Sequence, residues 1–204
     1  MSVPNYLTFI RIFISPIFML IYLEHEMLGI SMTALPYVLL FLFGLSEISD
    51  TFDGFLARKY NQVTDFGKIL DPMADSIYRI SVFLTFTSPP VELPLLLVFI
   101  FIYRDSMISA LRTICALRGF ALAARSSGKI KAIIQAATAF IILILHIPYS
   151  TGLMSQASLH RVALIATSIA AGYALFSGIE YIYANRDEIK RLLTERAKGS
   201  LTDV

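Results

Sequence analysis

The chain has 204 residues, of which 56% are hydrophobic and 16% charged, and its mean hydropathy is +0.70. So small a charged share excludes an ordinary soluble domain. The single cysteine, Cys115, excludes an intramolecular disulfide framework and a cysteine-based zinc site. The net charge of +2 is informative only through its distribution, and no nucleic-acid partner is expected.

Six apolar segments follow one another along the chain, at 7–23, 34–57, 70–88, 92–114, 129–148 and 161–184. Each approaches the roughly 20 residues that a helix needs to span a hydrocarbon core. Pro16 and Pro36 are expected to kink or start helices rather than break them. The first segment lacks a basic leader and a small-residue cleavage pattern, so it is read as part of the mature protein.

The links sort by charge. The first, around Glu24 and Glu26, has no Lys or Arg, nor do those around Ser88–Glu92 and at 149–160. The link at 59–69 carries Lys59 and Lys68, and that near 112–131 carries Arg112, Arg118, Arg125, Lys129 and Lys131. After Ala184 come Arg186, Lys190, Arg191, Arg196 and Lys198. Because basic loops stay in the cytoplasm, the expected fold is an all-α polytopic membrane protein. It has six transmembrane helices, with both termini and both basic links in the cytoplasm. The chain reads as a single membrane domain, 1–204, with 185–204 as a cytoplasmic amphipathic tail. Ile189, Leu192 and Leu193 share one face of that tail, and an interfacial helix with a stop-transfer charge cluster accounts for it.

Four aspartates carry the chemistry. Asp50 and Asp53 are three apart and Asp71 and Asp75 four apart, spacings that put each pair on one helix face. A cytoplasmic link joins the two helices, so they run antiparallel and their acidic ends can meet. Two carboxylates about 5 Å apart repel by ~3 kcal/mol at an effective dielectric of 20. A cation must offset that, and hard, oxygen-preferring magnesium or manganese suits an all-carboxylate site. Two such ions clamp the attacking and leaving oxygens of a phosphoryl displacement. Gly54 and Ala57 leave room beside the acidic face, and Arg58 can pair with phosphate. A set of solvated helix-end charges is the bland alternative, but it does not explain four paired at helical spacing. A transporter would place its ionisable residues nearer mid-membrane.

The pattern D-x2-D-G-x2-A-R-x8-G-x3-D-x3-D is met at Asp50, Asp53, Gly54, Ala57, Arg58, Gly67, Asp71 and Asp75. It resembles the signature of the CDP-alcohol phosphotransferases, also called CDP-alcohol phosphatidyltransferases. The opening Pro4-Asn5-Tyr6-Leu7-Thr8-Phe9-Ile10-Arg11 is similar to that family's P-N-x-L-T-x-x-R start. Together with Arg104-Asp105, Ala110-Leu111-Arg112, Gly128-Lys129-Ile130-Lys131 and Ser177-Gly178-Ile179-Glu180-Tyr181, it is most similar to the bacterial branch that uses glycerol 3-phosphate. Ser76 departs from that branch, where Lys commonly follows the last Asp.

The resemblance implies a metal-dependent phospholipid-synthesis enzyme of the inner membrane, with its site on the cytoplasmic side. It would join CDP-diacylglycerol and glycerol 3-phosphate into phosphatidylglycerophosphate and CMP. By that likeness Asp50 and Asp71 bridge two divalent cations, Mg2+ or Mn2+, Asp53 and Asp75 complete one site each, and Asp75 is the general base. Asn5, Thr8, Gly54, Ala57, Arg58, Thr64 and Gly67 would line the CDP-lipid site. Sister activities with inositol phosphate, serine or phosphatidylglycerol as acceptor are the alternatives. Homodimers are common in the family, while no interface is legible in this sequence.

An anionic acceptor needs fixed cations. Arg112 and Lys129 are the expected phosphate ligands because they can face the Asp cluster; Arg104 and Arg118 are further candidates, and Arg125 is a surface charge. Arg104, beside Asp105 in an apolar run, and Arg79, one turn past Asp75, are open between phosphate binding and pairing with acids. His25, His146 and His160 fall on the opposite side and are read as bystanders.

Overall fold

A computed structural model describes the backbone of residues 3–59, 65–118, 122 and 125–190, and the side chains of 10–49, 72–118, 122 and 125–190. Among these residues the chain forms six α-helices: α1 Val3–Leu23, α2 Leu35–Lys59, α3 Asp65–Thr85, α4 Leu95–Leu117, α5 Ser126–Ser150 and α6 Gln156–Ala184. Each corresponds to one of the six apolar runs. The edges differ by a few residues, because apolarity does not report a polar first turn. α6 begins at Gln156 rather than 161 because Ser155 caps it, its hydroxyl accepting from the backbone N–H of Ser158 at 3.3 Å. Pro36 stands at the second residue of α2, where its missing N–H costs nothing, while Pro16 lies inside α1. Residues 186–190 of the expected tail are helical, and the remainder of the tail lies outside the described residues.

Side-chain pairings fix how the helices run. Arg11 meets Asp75, Ser15 meets Ser81 and Tyr22 meets the Ser88 carbonyl, so α1 and α3 are parallel. Phe43 lies against Tyr78 and Glu47 against Arg79, which packs the middle of α2 on the middle of α3. Ser76 meets Asp105 and Phe83 meets Phe101, so α4 is antiparallel to α3. Arg104 packs by Gly178 and Arg112 by Tyr181, so α4 and α6 are parallel. This up-and-down order gathers Arg11, Glu47, Asp75, Arg79, Asp105, Lys131 and Glu180 towards one end. The other end holds Tyr22, His146, Tyr149 and His160. There, Gly152 turns the chain from α5 to α6 at φ +78°, a conformation that side chains resist.

The apolar core runs through the bundle. Phe18, Tyr22, Phe83, Phe86 and Phe101 interlock edge-to-face or tilted, with Phe83 and Phe101 centroids 4.8 Å apart. The outside is apolar too. Large side chains face outwards on every helix: Phe13 on α1, Phe41 on α2, Ile77 on α3, Phe99 on α4, Ile133 on α5 and Ile169 on α6. Exposed apolar surface on that scale marks contact with something other than water. Among the described residues, Ser126–Ser150 and Gln156–Ala184 are long and apolar enough to cross a membrane. The described apolar stretches of α1 and α2, Ile10–Leu23 and Leu35–Ser49, are shorter.

Phe86 is fully buried against Phe18, Tyr22 and Phe83. Truncating it leaves a void that rigid helices cannot close. Phe86→Ala is therefore expected to destabilise the bundle by about 3 kcal/mol, measured as a lower melting temperature in detergent. An unchanged melting temperature would contradict this packing.

Candidate active site

Of the four expected aspartates, Asp75 is the one whose side chain is described. Asp50 and Asp53 belong to the C-terminal half of α2 and Asp71 to α3, one turn before Asp75. Glu47, on the same helix as Asp50, reaches Arg79 of α3. Only residues 60–64 separate the end of α2 from the start of α3, so the α2 segment beyond Glu47 continues towards the end where α3 begins. Asn5, Thr8, Asp50, Asp53, Gly54, Ala57, Arg58, Thr64, Gly67 and Asp71 lie outside the described side chains. Among the described residues, no group of three or more His, Cys, Asp or Glu could hold a metal ion.

Asp75 is half-buried and held by cations. Arg11 of α1, itself buried, donates from Nη1 to Oδ1 at 2.5 Å. Arg79, one helical turn on, brings Nη2 to 3.6 Å from Oδ2 and Nε to 3.8 Å from Glu47 Oε1. Arg79 thus stands at ion-pair distance from two acids and also lines the cleft described below. Arg11 stands in the quoted opening motif, but the motif gives it no partner. A charge inside an apolar helix was the available signal.

A cleft of about 540 Å³ opens between α2, α3 and α5. Glu47, Asp75, Arg79 and Lys129 supply its polar lining, and Phe43, Ala132, Ile133, Ala136, Ala137 and Phe140 its apolar lining. Lys129 is exposed and shares this cleft with Asp75. A site with ions at one end and hydrocarbon along its walls suits a molecule that is itself half ionic and half lipid.

Behind Asp75 lies a second ionic cluster. Asp105 of α4, 7% exposed, accepts from Lys131 Nζ of α5 at 2.8 and 2.7 Å and from Arg104 Nη1 at 2.9 Å. Ser76 of α3 donates to its Oδ2 at 2.7 Å. Lys131, expected among the basic residues at the cytoplasmic ends of the fourth and fifth helices, is buried in this cluster. Arg104 has both neighbours that its sequence suggested: it pairs with Asp105, yet two cations share one carboxylate. Its Nε finds no hydrogen-bond partner among the described residues. The arginine lies so close to α6 that a Cβ on Gly178 would stand 3.1 Å from its Cγ.

The remaining expected cations part company. Arg112 turns to α6, donating from Nε to the Tyr181 hydroxyl at 3.1 Å with its guanidinium 5.2 Å from the ring centroid. Arg118 is exposed at the C-terminus of α4. Arg125 is exposed as expected, but it also grips Glu180, which accepts from Ser127 Oγ at 2.6 Å on its other oxygen. His146 is buried between Tyr22 and Tyr149, and His160 Nδ1 lies 2.8 Å from the Val91 carbonyl, both at the far end of the bundle.

Residues 1–174 match the profile of the family described as CDP-alcohol phosphatidyltransferase. The chain is 32% identical, over 195 residues, to the CDP-diacylglycerol–glycerol-3-phosphate 3-phosphatidyltransferase of Bacillus subtilis, covering 93% of this chain and 97% of that protein. It is 35% identical to the protein of the same name from Rickettsia typhi over 136 residues, 66% of this chain and 71% of the relative. With the one from Escherichia coli K12 it shares 37% identity over 76 residues, 37% of this chain and 38% of the relative.

The two ion pairs of this region differ in burial, and their removal should differ in cost. Asp105→Asn leaves Arg104 and Lys131 buried without their counter-charge and is expected to destabilise the protein by about 3 kcal/mol. Arg125→Ala removes an exposed pair and should change stability by no more than about 1 kcal/mol. Thermal unfolding of both variants in detergent measures the contrast, and equal effects would contradict it.

Proposed function

The chain belongs to the CDP-alcohol phosphatidyltransferase family, and from that premise we propose that it makes phosphatidylglycerophosphate and CMP from CDP-diacylglycerol and glycerol 3-phosphate. The observation that carries this reading is the Asp75 carboxylate, held by Arg11 and Arg79 at the polar end of a cleft with apolar walls. The near full-length likeness to the Bacillus subtilis protein favours glycerol 3-phosphate over the sister acceptors.

All six helices cross the cytoplasmic membrane in this reading, as one domain with both termini and the ionic end on the cytoplasmic side. The alternation of basic and charge-poor links supports that orientation. So does the collection of Asp75, Lys129 and the Asp105 cluster at the end nearer the basic links.

Asp50, Asp53, Asp71 and Asp75 form an all-oxygen donor set that fits two hard divalent cations, Mg2+ or Mn2+. Asp50 and Asp71 contribute to both sites. Bound there, the ions supply charge neutralisation at the phosphoryl oxygens. Asn5, Thr8, Gly54, Ala57, Arg58, Thr64 and Gly67 bind the CDP group, and the cleft between α2, α3 and α5 takes hydrocarbon beside it. Arg112 and Lys129, with Arg104 and Arg118, attract the acceptor phosphate. Asp75 takes the proton of the acceptor hydroxyl as its oxygen bonds to the phosphorus that carries diacylglycerol. The bond from that phosphorus to the oxygen of CMP breaks, and CMP leaves.

Purified protein given CDP-diacylglycerol and manganese should release CMP with glycerol 3-phosphate. Release only with serine, inositol phosphate or phosphatidylglycerol would overturn the acceptor, and solute flux without CMP would overturn the enzyme. Asp75→Asn should lower turnover by about a thousandfold, measured in the same assay; wild-type turnover in that variant would remove Asp75 as the base. Arg112→Ala should raise the KM for glycerol 3-phosphate about tenfold and leave that for CDP-diacylglycerol unchanged. Steady-state kinetics with each substrate varied checks this, and equal effects on both would contradict the assignment.

A further inference from the structure

Asp75 and Ser76 are adjacent on α3, so their side chains leave the helix about 100° apart. They are tethered in different directions. Asp75 is bonded to Arg11 of α1 at 2.5 Å, and Ser76 donates to Asp105 of α4 at 2.7 Å. Two tethers at one level, pointing to two different helices, fix the rotation of α3 about its own axis. Ser15 of α1 on Ser81 and Glu47 of α2 near Arg79 restrain α3 as well, but neither ties it to α4 as Ser76 does.

The second tether is anchored firmly. Asp105 is buried, and its oxygens also take Lys131 Nζ from α5 at 2.7 and 2.8 Å and Arg104 Nη1 at 2.9 Å. Moving Asp105 would strip a buried carboxylate of its cations, which is costly in an apolar bundle. The apolar contact of α3 with α4 through Phe83 and Phe101 lies two helical turns away along α3. It sets the spacing of the two helices there, but rings packed without direction resist rolling poorly. The hydroxyl of Ser76, working where little water competes, supplies a directional restraint.

We infer that the Ser76 hydroxyl, anchored on the Asp105–Lys131–Arg104 cluster, is a positioning device that aims the Asp75 carboxylate into the cleft. Neither Ser76 nor Asp105 touches the reacting atoms; they act through the helix that carries Asp75. The inference rests on the reading of Asp75 as base and metal ligand given above.

The test uses the full chain in detergent as wild type, Ser76→Ala and Ser76→Thr. Four quantities are measured: kcat, the KM of each substrate, Mn2+ affinity by electron paramagnetic resonance, and melting temperature. Ser76→Ala is expected to lose about tenfold in both kcat and Mn2+ affinity, the usual cost of removing a group that orients a ligand. Both KM values and the melting temperature should stay near wild type. Ser76→Thr, which keeps the hydroxyl, should restore most of the loss. Wild-type kcat and Mn2+ affinity in Ser76→Ala would overturn the inference. So would a lower melting temperature with unchanged kcat, or a Thr variant no better than Ala. A wild-type protein that releases no CMP with glycerol 3-phosphate would defeat the proposed function instead. The Mn2+ affinities of the two variants would then decide the positioning role alone.

Discussion

A carboxylate buried among apolar helices must be paired, and in this bundle the pairing of Asp105 with Lys131 and Arg104 organises everything near it. Separating any of these charges would leave one stranded in a medium that solvates it poorly. The cluster therefore joins α4 to α5 directly and α3 through Ser76, while Arg104 lies against Gly178 of α6. Four helices are thereby registered at the same level of the bundle. The aromatic core deeper in the molecule supplies packing, but rings slide where ion pairs do not. Gly178 belongs to the same constraint, because the arginine occupies the space that a side chain there would need.

That register has a functional consequence. It sets Asp75 between Arg11 and Arg79 at the rim of a cleft whose far walls are Ala132, Ala136, Ala137 and Phe140. Ionic chemistry and hydrocarbon meet across a few side chains. A phosphatidyl donor needs both at once, since its phosphates call for cations and its acyl chains for apolar surface. The small residues of α5 leave the cleft open on the side where α2 passes. The arrangement also explains why the basic residues sort into kinds. Lys131 is consumed inside the fold, Arg125 binds Glu180 at the surface, and Lys129 remains on the cleft.

The helices were legible because each apolar run has the length of a helix and is bounded by polar or turn-forming residues, such as Ser155 before α6. Their alternating direction followed from the basic links, and the side-chain pairings of α1, α3, α4 and α6 agree with it. The aspartate signature pointed to the start of α3, where Asp75 lies at the rim of the cleft, because carboxylates at three- and four-residue spacings have few structural uses in an apolar chain. Partners were not legible. One-dimensional spacing does not say that Arg11 reaches Asp75 across 64 positions, or that Lys131 reaches Asp105 across 26. Lys129 and Lys131 look alike in sequence, two apart in one basic motif, yet one is exposed on the cleft and the other is buried. A helix turns about 200° over two residues, so which of them faces inwards depends on what packs beside it. Ser76 looked like a mere departure from a pattern until its hydroxyl was seen to meet Asp105.

In the proposed mechanism the aspartates of α2 and α3 converge at the ionic end and share divalent cations there. Anomalous diffraction from a crystal grown with manganese locates such ions directly. Two manganese peaks are expected between α2 and α3, each about 2.2 Å from oxygens of Asp50, Asp53, Asp71 or Asp75. Manganese bound elsewhere, or those four side chains turned outwards to the apolar surface, would contradict it.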